Sequence, residues 1–244
     1  MFLITQFIKA LAKRLNIKQP SAPPLHHSTS NRRVYKDRGL NQPSPLFTTI
    51  KACTSECPKN SNDLTNQVIL VDEYDTTIGH AEKLQAHREG WLHRAFSIFI
   101  IRQIETQPVE VLLQKRQHTK YHSGGLWTNT CCSHPQPGEI LLMAGNRRLQ
   151  EEMGITADLK KIGAFHYRAQ VAVDLIENEF DHVLVGTLAS AKFVVNPQEV
   201  ADYRWISLPS LLIEIQEHPQ QFTAWLAPAL DLLLKFLASQ TQNH

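Results

Sequence analysis

From Gln67 onward, apolar residues gather in short runs separated by polar, glycine- and proline-marked stretches. The run QVILVD over 67–72 predicts a first strand, LHRAFSIFII over 92–101 a longer one, and VLLQKR over 111–116 a third. The stretch KYHSGGLWTNTCCSHPQPG that ends at Gly138 carries turn residues and reads as a loop. Residues 140–153 then adopt helical spacing. Leu141, Leu142, Leu149 and Met153 fall on or near one side, and Arg147, Arg148, Glu151 and Glu152 on the other, with Gly154 as the stop. Further strands are predicted around 162–171, 178–188 and 200–206, and helices over 208–217 and 223–239. Strands and helices mixed without strict βαβ alternation predict an α/β (α+β) fold, an α/β/α sandwich around a mixed sheet.

Upstream of Gln67 the pattern changes. Leu3, Ile4, Phe7, Ile8, Leu11 and Leu15 lie at helical spacing among Lys9, Lys13, Arg14 and Lys18, so 1–18 reads as an amphipathic helix. Such a helix suits a basic N-terminal extension or a weak membrane-surface contact. Residues 19–66 are rich in Pro, Ser, Thr, Asn and charge, the composition of a linker or a disordered segment. The expected organisation is thus 1–66 as an extension and 67–240 as the folded domain. Cys53 and Cys57 lie in that linker without a second ligand pair, which argues against a zinc site there.

Charge sharpens this division. Residues 1–60 hold ten Lys or Arg against two acids, leaving 15 basic and 21 acidic residues for the remainder. The folded part is mildly acidic, which argues against nucleic acid as its partner. No apolar run approaches the ~20 residues of a membrane span. Four cysteines in 244 residues are no disulfide scaffold, and Cys131 and Cys132 close to His134 fit a reducing compartment, so the expected location is cytoplasmic.

The residues suited to chemistry cluster by type. His87, His93 and His134 with Glu177 and Glu179 offer three imidazoles and two carboxylates, a set suited to Zn²⁺, Mn²⁺ or Mg²⁺. Glu177 and Glu179 are two apart on a predicted strand and so point to one side. Cys132 and His134 share that relation if their segment is extended. His80 is a nearby competitor for the place of His87. His122 and His166 are not expected to be ligands. The segment Ser133–Ile155 approximates the Nudix box, with Glu139, Arg147, Leu149, Glu151, Glu152, Gly154 and Ile155 on its positions. Ser133 stands for the first Gly and Arg148 for the Glu after the Arg. Carboxylates on such a helix are hard oxygen ligands for Mg²⁺, which bridges diphosphate oxygens.

The segments LHRAFSIFI (92–100), WTNTCCSHP (127–135), FHYRAQ (165–170), ENE (177–179) and FTAW (222–225) closely resemble the type 1 isopentenyl-diphosphate isomerase family, which has a Nudix fold. The resemblance covers about residues 67–230. It implies interconversion of isopentenyl and dimethylallyl diphosphate by proton addition and removal through a tertiary carbocation. It implies Cys132 and Glu179 as the catalytic pair and Tyr167 as their assistant. His87, His93, His134, Glu177 and Glu179 match the family's metal ligands, with Lys83 keeping the family's four-residue lead over His87. Glu152 matches the acid holding Mg²⁺ on the diphosphate. Lys83, Arg116, Lys120 and Arg148 match the phosphate-gripping bases, and Trp225 an aromatic facing the cation. The expected protein is a monomer or weak dimer acting on a small molecule. A Nudix diphosphate hydrolase is the alternative, which the Arg148 departure disfavours.

Overall fold

The structure, a computed structural model, describes residues 66–188 and 192–241. The helix expected over 1–18, the linker up to residue 65 and the Cys53–Cys57 pair lie outside the described residues. The elements run β1 Gln67–Val71, β2 Thr77–Glu82, α1 Lys83–Glu89, β3 His93–Arg102, β4 Glu110–Arg116, β5 Trp127–Thr128 and β6 Cys131–Ser133. They continue with α2 Leu141–Met153, β7 Lys160–Ala172, β8 Leu175–Thr187, β9 Val200–Ser207, α3 Leu208–Glu217 and α4 Leu226–Gln240.

The unbroken apolar run of β3 is explained by its position. Along one edge β8 pairs with it in parallel from His93↔Glu179 to Ile101↔Thr187. Along the other edge β1, β6 and β4 meet it in turn, all antiparallel, through His93, Phe96–Ile98 and Ile100–Arg102. A strand flanked on both edges and covered on both faces has no polar side to show. Its side chains alternate between two cores. Phe96, Ile98 and Ile100 pack with Leu112, Leu184, Leu149 and Met153, on the α2 side. Phe99 packs with Val111, Leu113, Val183, Leu211 and Leu230, on the α3–α4 side. Both β4 and β8 show the same alternation, so the sheet is the filling of an α/β/α sandwich, as the sequence predicts. No helix among the described residues is long and apolar enough to cross a membrane.

Two helix ends bear on the site. α2 stops at Gly154, whose φ of 66° lies in the left-handed region. A Cβ there would come within 2.4 Å of the Val194 carbonyl oxygen, so glycine is required on two counts. α1 is capped by Glu82, whose carboxylate accepts from the backbone N–H groups of Leu84 and Gln85, and it ends on left-handed Gly90. The helix expected over 140–153 needs one correction. Leu142 is exposed at its start, whereas Glu152, placed with the charged side, is only 2% exposed and turns toward the sheet. There Gln114 Nε2 donates to Glu152 Oε2 at 2.9 Å. The last helix begins at Leu226 rather than at 223 because Phe222 and Thr223 still belong to the core beside Trp127 and Thr128.

Candidate active site

The topology gathers side chains that the sequence scatters. β6 and β8 flank opposite edges of β3, so Cys132, opposite Ser97, and Glu179, opposite His93, reach the same end of the sheet. Both line one pocket of about 450 Å³, counting its open mouth. Tyr167 stands on β7 directly across from Glu179 and lines the same pocket, where its hydroxyl donates to Glu179 Oε2 at 2.6 Å.

At the base of the pocket, His87, His93, His134, Glu177 and Glu179 each bring one ligand atom into a cluster spanning at most 4.8 Å. The backbone fixes two of these rings. His87 Nδ1 donates to the Lys83 carbonyl at 2.6 Å, and His93 Nδ1 to the Trp91 carbonyl at 2.8 Å. Each Nε2 therefore presents a lone pair inward, the tautomer a metal ligand needs. His93 Nε2 stands 3.2 Å from His134 Nε2, and His134 Nε2 lies 2.8 Å from Glu179 Oε1. His87 Nε2 and Glu177 Oε2 face each other at 3.3 Å, buried and without a hydrogen-bond partner. Buried polar atoms are rarely left unsatisfied. Inward lone pairs, two buried carboxylates and orphaned atoms together fit a divalent cation.

The site's electrostatics follow from burial. Burial pushes the His134 imidazole down to about 3, so it is neutral as a ligand must be. Burial and Glu177 push the Glu179 carboxyl up, but the neighbouring His134 and His93 rings outweigh them and keep it below its ordinary value. Burial drives the Cys132 thiol up to about 11, against the pull of Arg116, whose Nη1 donates to Sγ at 3.5 Å. Burial, then Glu179, raises the Tyr167 phenol far above its usual range, so it stays a donor. The pocket thus opposes a neutral thiol to an ionised carboxylate.

A basic rim completes the pocket. Lys83 lies one helical turn before His87, so α1 sends both to the site, and Arg116, Lys120 and Arg148 join it. Arg148 is ion-paired with Glu152 and with Glu151, and Lys120 with Glu199. Trp225 is 3% exposed in the pocket wall, with its Nε1 donating to Asn129 Oδ1 at 3.2 Å and the Arg116 guanidinium 5.3 Å from its ring.

Each catalytic, substrate-binding and metal residue that the resemblance implies is thus in the pocket wall or in the cluster beneath it, whereas the box carboxylates Glu139 and Glu151 lie outside both and pair with Arg147 and Arg148. His80 sits exposed on β2, outside the cluster, whereas His87 is fully buried in it. His166 bonds Asn178 at the surface, and Cys131 is buried in the α2-side core. Sequence reasoning missed Tyr121, Phe96, Asn129 and Glu199 and set His122 aside, although His122 lines the pocket and meets Glu177 at 2.9 Å. Asn129 had only its place in WTNTCC to mark it. It ties Trp225 to the backbones of β3 and β6 by donating to the carbonyls of Ile98 and Cys131.

The NUDIX domain model matches residues 91–226. A Photobacterium profundum protein named isopentenyl-diphosphate Delta-isomerase is 48% identical over 176 residues, covering 71% of this chain and 97% of its own. An Aromatoleum aromaticum protein named isopentenyl-diphosphate Delta-isomerase 2 is 46% identical over 169 residues, covering 69% and 87%. The solved structure of DR0079 from Deinococcus radiodurans superposes with a TM-score of 0.54 at 19% identity, over 69% of this chain and 97% of that one, a likeness of fold. On a match of this extent and relatives this similar along nearly their whole length, the chain belongs to the isopentenyl-diphosphate Delta-isomerase family and is built on a NUDIX domain.

Proposed function

We propose that this protein interconverts isopentenyl diphosphate and dimethylallyl diphosphate, with Cys132 and Glu179 as its acid–base pair. The observation that carries the proposal is their placement in one pocket from the two edges of β3, with Tyr167 bonded to Glu179. Isomerisation adds a proton to the terminal carbon of the alkene, giving a tertiary carbocation, and removes one from the carbon next to the C–O bond. One of the pair donates and the other accepts, so each turnover leaves the proton moved across the pocket. In the reverse direction the roles exchange. A thiol held neutral and a carboxylate held ionised are the two states such a pair needs at the start of one direction.

An unactivated alkene is a poor base, so the donor must be aligned and water excluded. The buried walls, Trp225 among them, provide the exclusion. The indole π face of Trp225 would stabilise the cation by roughly 2 kcal/mol in a desolvated site. Lys83, Arg116, Lys120 and Arg148 would grip the diphosphate, whose binding energy positions the distant reacting carbons. Glu152 is the residue we propose to hold Mg²⁺ on the diphosphate. Its oxygens are bonded by Arg148 and Gln114, so an ion would share this carboxylate with Arg148.

The His87–His93–His134–Glu177–Glu179 cluster is the proposed site of one divalent metal, Zn²⁺, Mn²⁺ or Mg²⁺. Bound there, a cation would offset the two buried carboxylates and set how firmly Glu179 holds a proton. The test is incubation with isopentenyl diphosphate, with and without chelator. Dimethylallyl diphosphate is the expected product; phosphate release without isomer would replace the proposal with a hydrolase.

A further inference from the structure

We infer that His122 is a positioning residue of the metal cluster: it holds one oxygen of Glu177 by a hydrogen bond and thereby leaves the other to face the ion. The inference rests on the proposed metal site and extends it to a residue outside the ligand set.

His122 is not one of the five residues whose ligand atoms converge, yet it is as buried as they are, with 4% of its side chain exposed. Its Nε2 lies 2.9 Å from Glu177 Oε1. The other oxygen, Oε2, has no hydrogen-bond partner and stands 3.3 Å from the equally unpartnered Nε2 of His87. The two oxygens of one carboxylate thus have different surroundings, and His122 is the cause. A buried carboxylate needs donors to offset its lost hydration. His122 supplies one to Oε1, so Glu177 is anchored while Oε2, the oxygen that faces His87, is left unused.

The ring of His122 is itself held. Its Nδ1 lies 3.2 Å from Ser123 Oγ, and its face meets the Tyr121 ring edge-on at 4.4 Å. It lies nearly parallel to the His87 ring at 5.7 Å. Arg116 Nη2 donates to the His122 carbonyl at 3.3 Å, and Ser123 adopts a left-handed φ of 51°, which turns the chain away immediately after it. These contacts fix where Nε2 points. A partner that orients a ligand from outside in this way is typically worth about 10–100-fold in metal affinity.

The test compares wild type, His122→Ala and His122→Gln in the full-length chain, after chelator treatment and titration with Co²⁺ and Zn²⁺. Affinity, the Co²⁺ ligand-field spectrum and steady-state kinetics are read together. His122→Ala should bind metal about tenfold or more weakly. Its spectrum should shift, as Glu177 becomes free to turn both oxygens inward. Turnover should fall while KM for the diphosphate stays close to wild type. In His122→Gln the side-chain amide can still donate to Oε1, so affinity and spectrum should largely recover. Unchanged affinity and spectrum in His122→Ala would overturn the inference. So would X-ray absorption on the wild-type protein that counts four imidazoles, because His122 would then be a ligand. Failure of wild type itself to bind metal would remove the underlying cluster reading, and is separable because it needs no variant.

Discussion

If the five-donor cluster holds an ion in the folded chain and not in the unfolded one, stability must rise with free metal by mass action. Above the dissociation constant each tenfold rise in free metal adds about 1.4 kcal/mol per site, whatever the affinity. For a chain of this size that is about 3–6 °C in Tm per decade. The structure bears on the magnitude in two ways. The five clustered residues come from α1, β3, the residue after β6, and β8, and span positions 87 to 179 of the chain, so the site has no counterpart in the unfolded chain. A single cluster among the described residues predicts the slope of one ion, not two. Glu177→Gln should move the onset of stabilisation to higher metal concentration yet leave the slope above it unchanged, because the slope counts ions and not ligands. The assay is thermal unfolding by circular dichroism in Mn²⁺ and Zn²⁺ buffers spanning three decades. A Tm that ignores metal across that range would mean the imidazoles and carboxylates satisfy one another as ion pairs, and the metal would drop out of the site.

The remaining predictions bear on single residues. Cys132→Ser should lower isomerisation by roughly 10²–10⁴-fold, the usual contribution of a general acid or base, with little change in Tm; near-normal turnover would exclude the thiol. Trp225→Leu should cost about 30-fold in kcat if the ring supplies about 2 kcal/mol to the cation, and Trp225→Phe should cost less because it keeps a π face. His182 gives a pH prediction away from the catalytic groups. Burial, then Lys161, pushes its imidazole down to about 4, although Asp75 Oδ2 is 2.9 Å from Nε2. The native state therefore keeps it neutral while the unfolded chain protonates it. Stability should be whole above about pH 6.5 and decline as pH falls toward 4, by on the order of 3 kcal/mol. His182→Gln should flatten that decline in urea unfolding measured across the range, and an unaltered decline would clear His182 as its cause.

What could be read from the sequence and what could not divides along a physical line. The strands β3, β4, β7, β8 and β9 and the helices α2 and α3 are long, and burial imposes a repeat on them that is visible without the fold. β2 is six residues with none buried, so no apolar repeat marks it. α1 is seven residues carried by its Glu82 and Gly90 caps, and β5 and β6 are two and three residues long. Yet those faint elements deliver Lys83, His87 and Cys132. The candidate site could be named in spite of them because motifs such as WTNTCCSHP and ENE resemble a family's own, and such a resemblance does not depend on recognising the secondary structure.

The same reasoning explains His122 and Glu152. Both carry charge or a titratable ring, and a sequence offers no reason to bury either one. His122 is buried because Glu177 needs a donor, and Glu152 because Arg148 and Gln114 supply the partners a buried carboxylate requires. In each case the deciding partner lies far along the chain: Glu177 is 55 residues from His122, and Gln114 is 38 from Glu152. Periodicity reports what a segment does with its own neighbours. Which polar residue goes inside is settled by the partner that the sheet order brings to it, and here that order is set by β3 with β6 on one edge and β8 on the other.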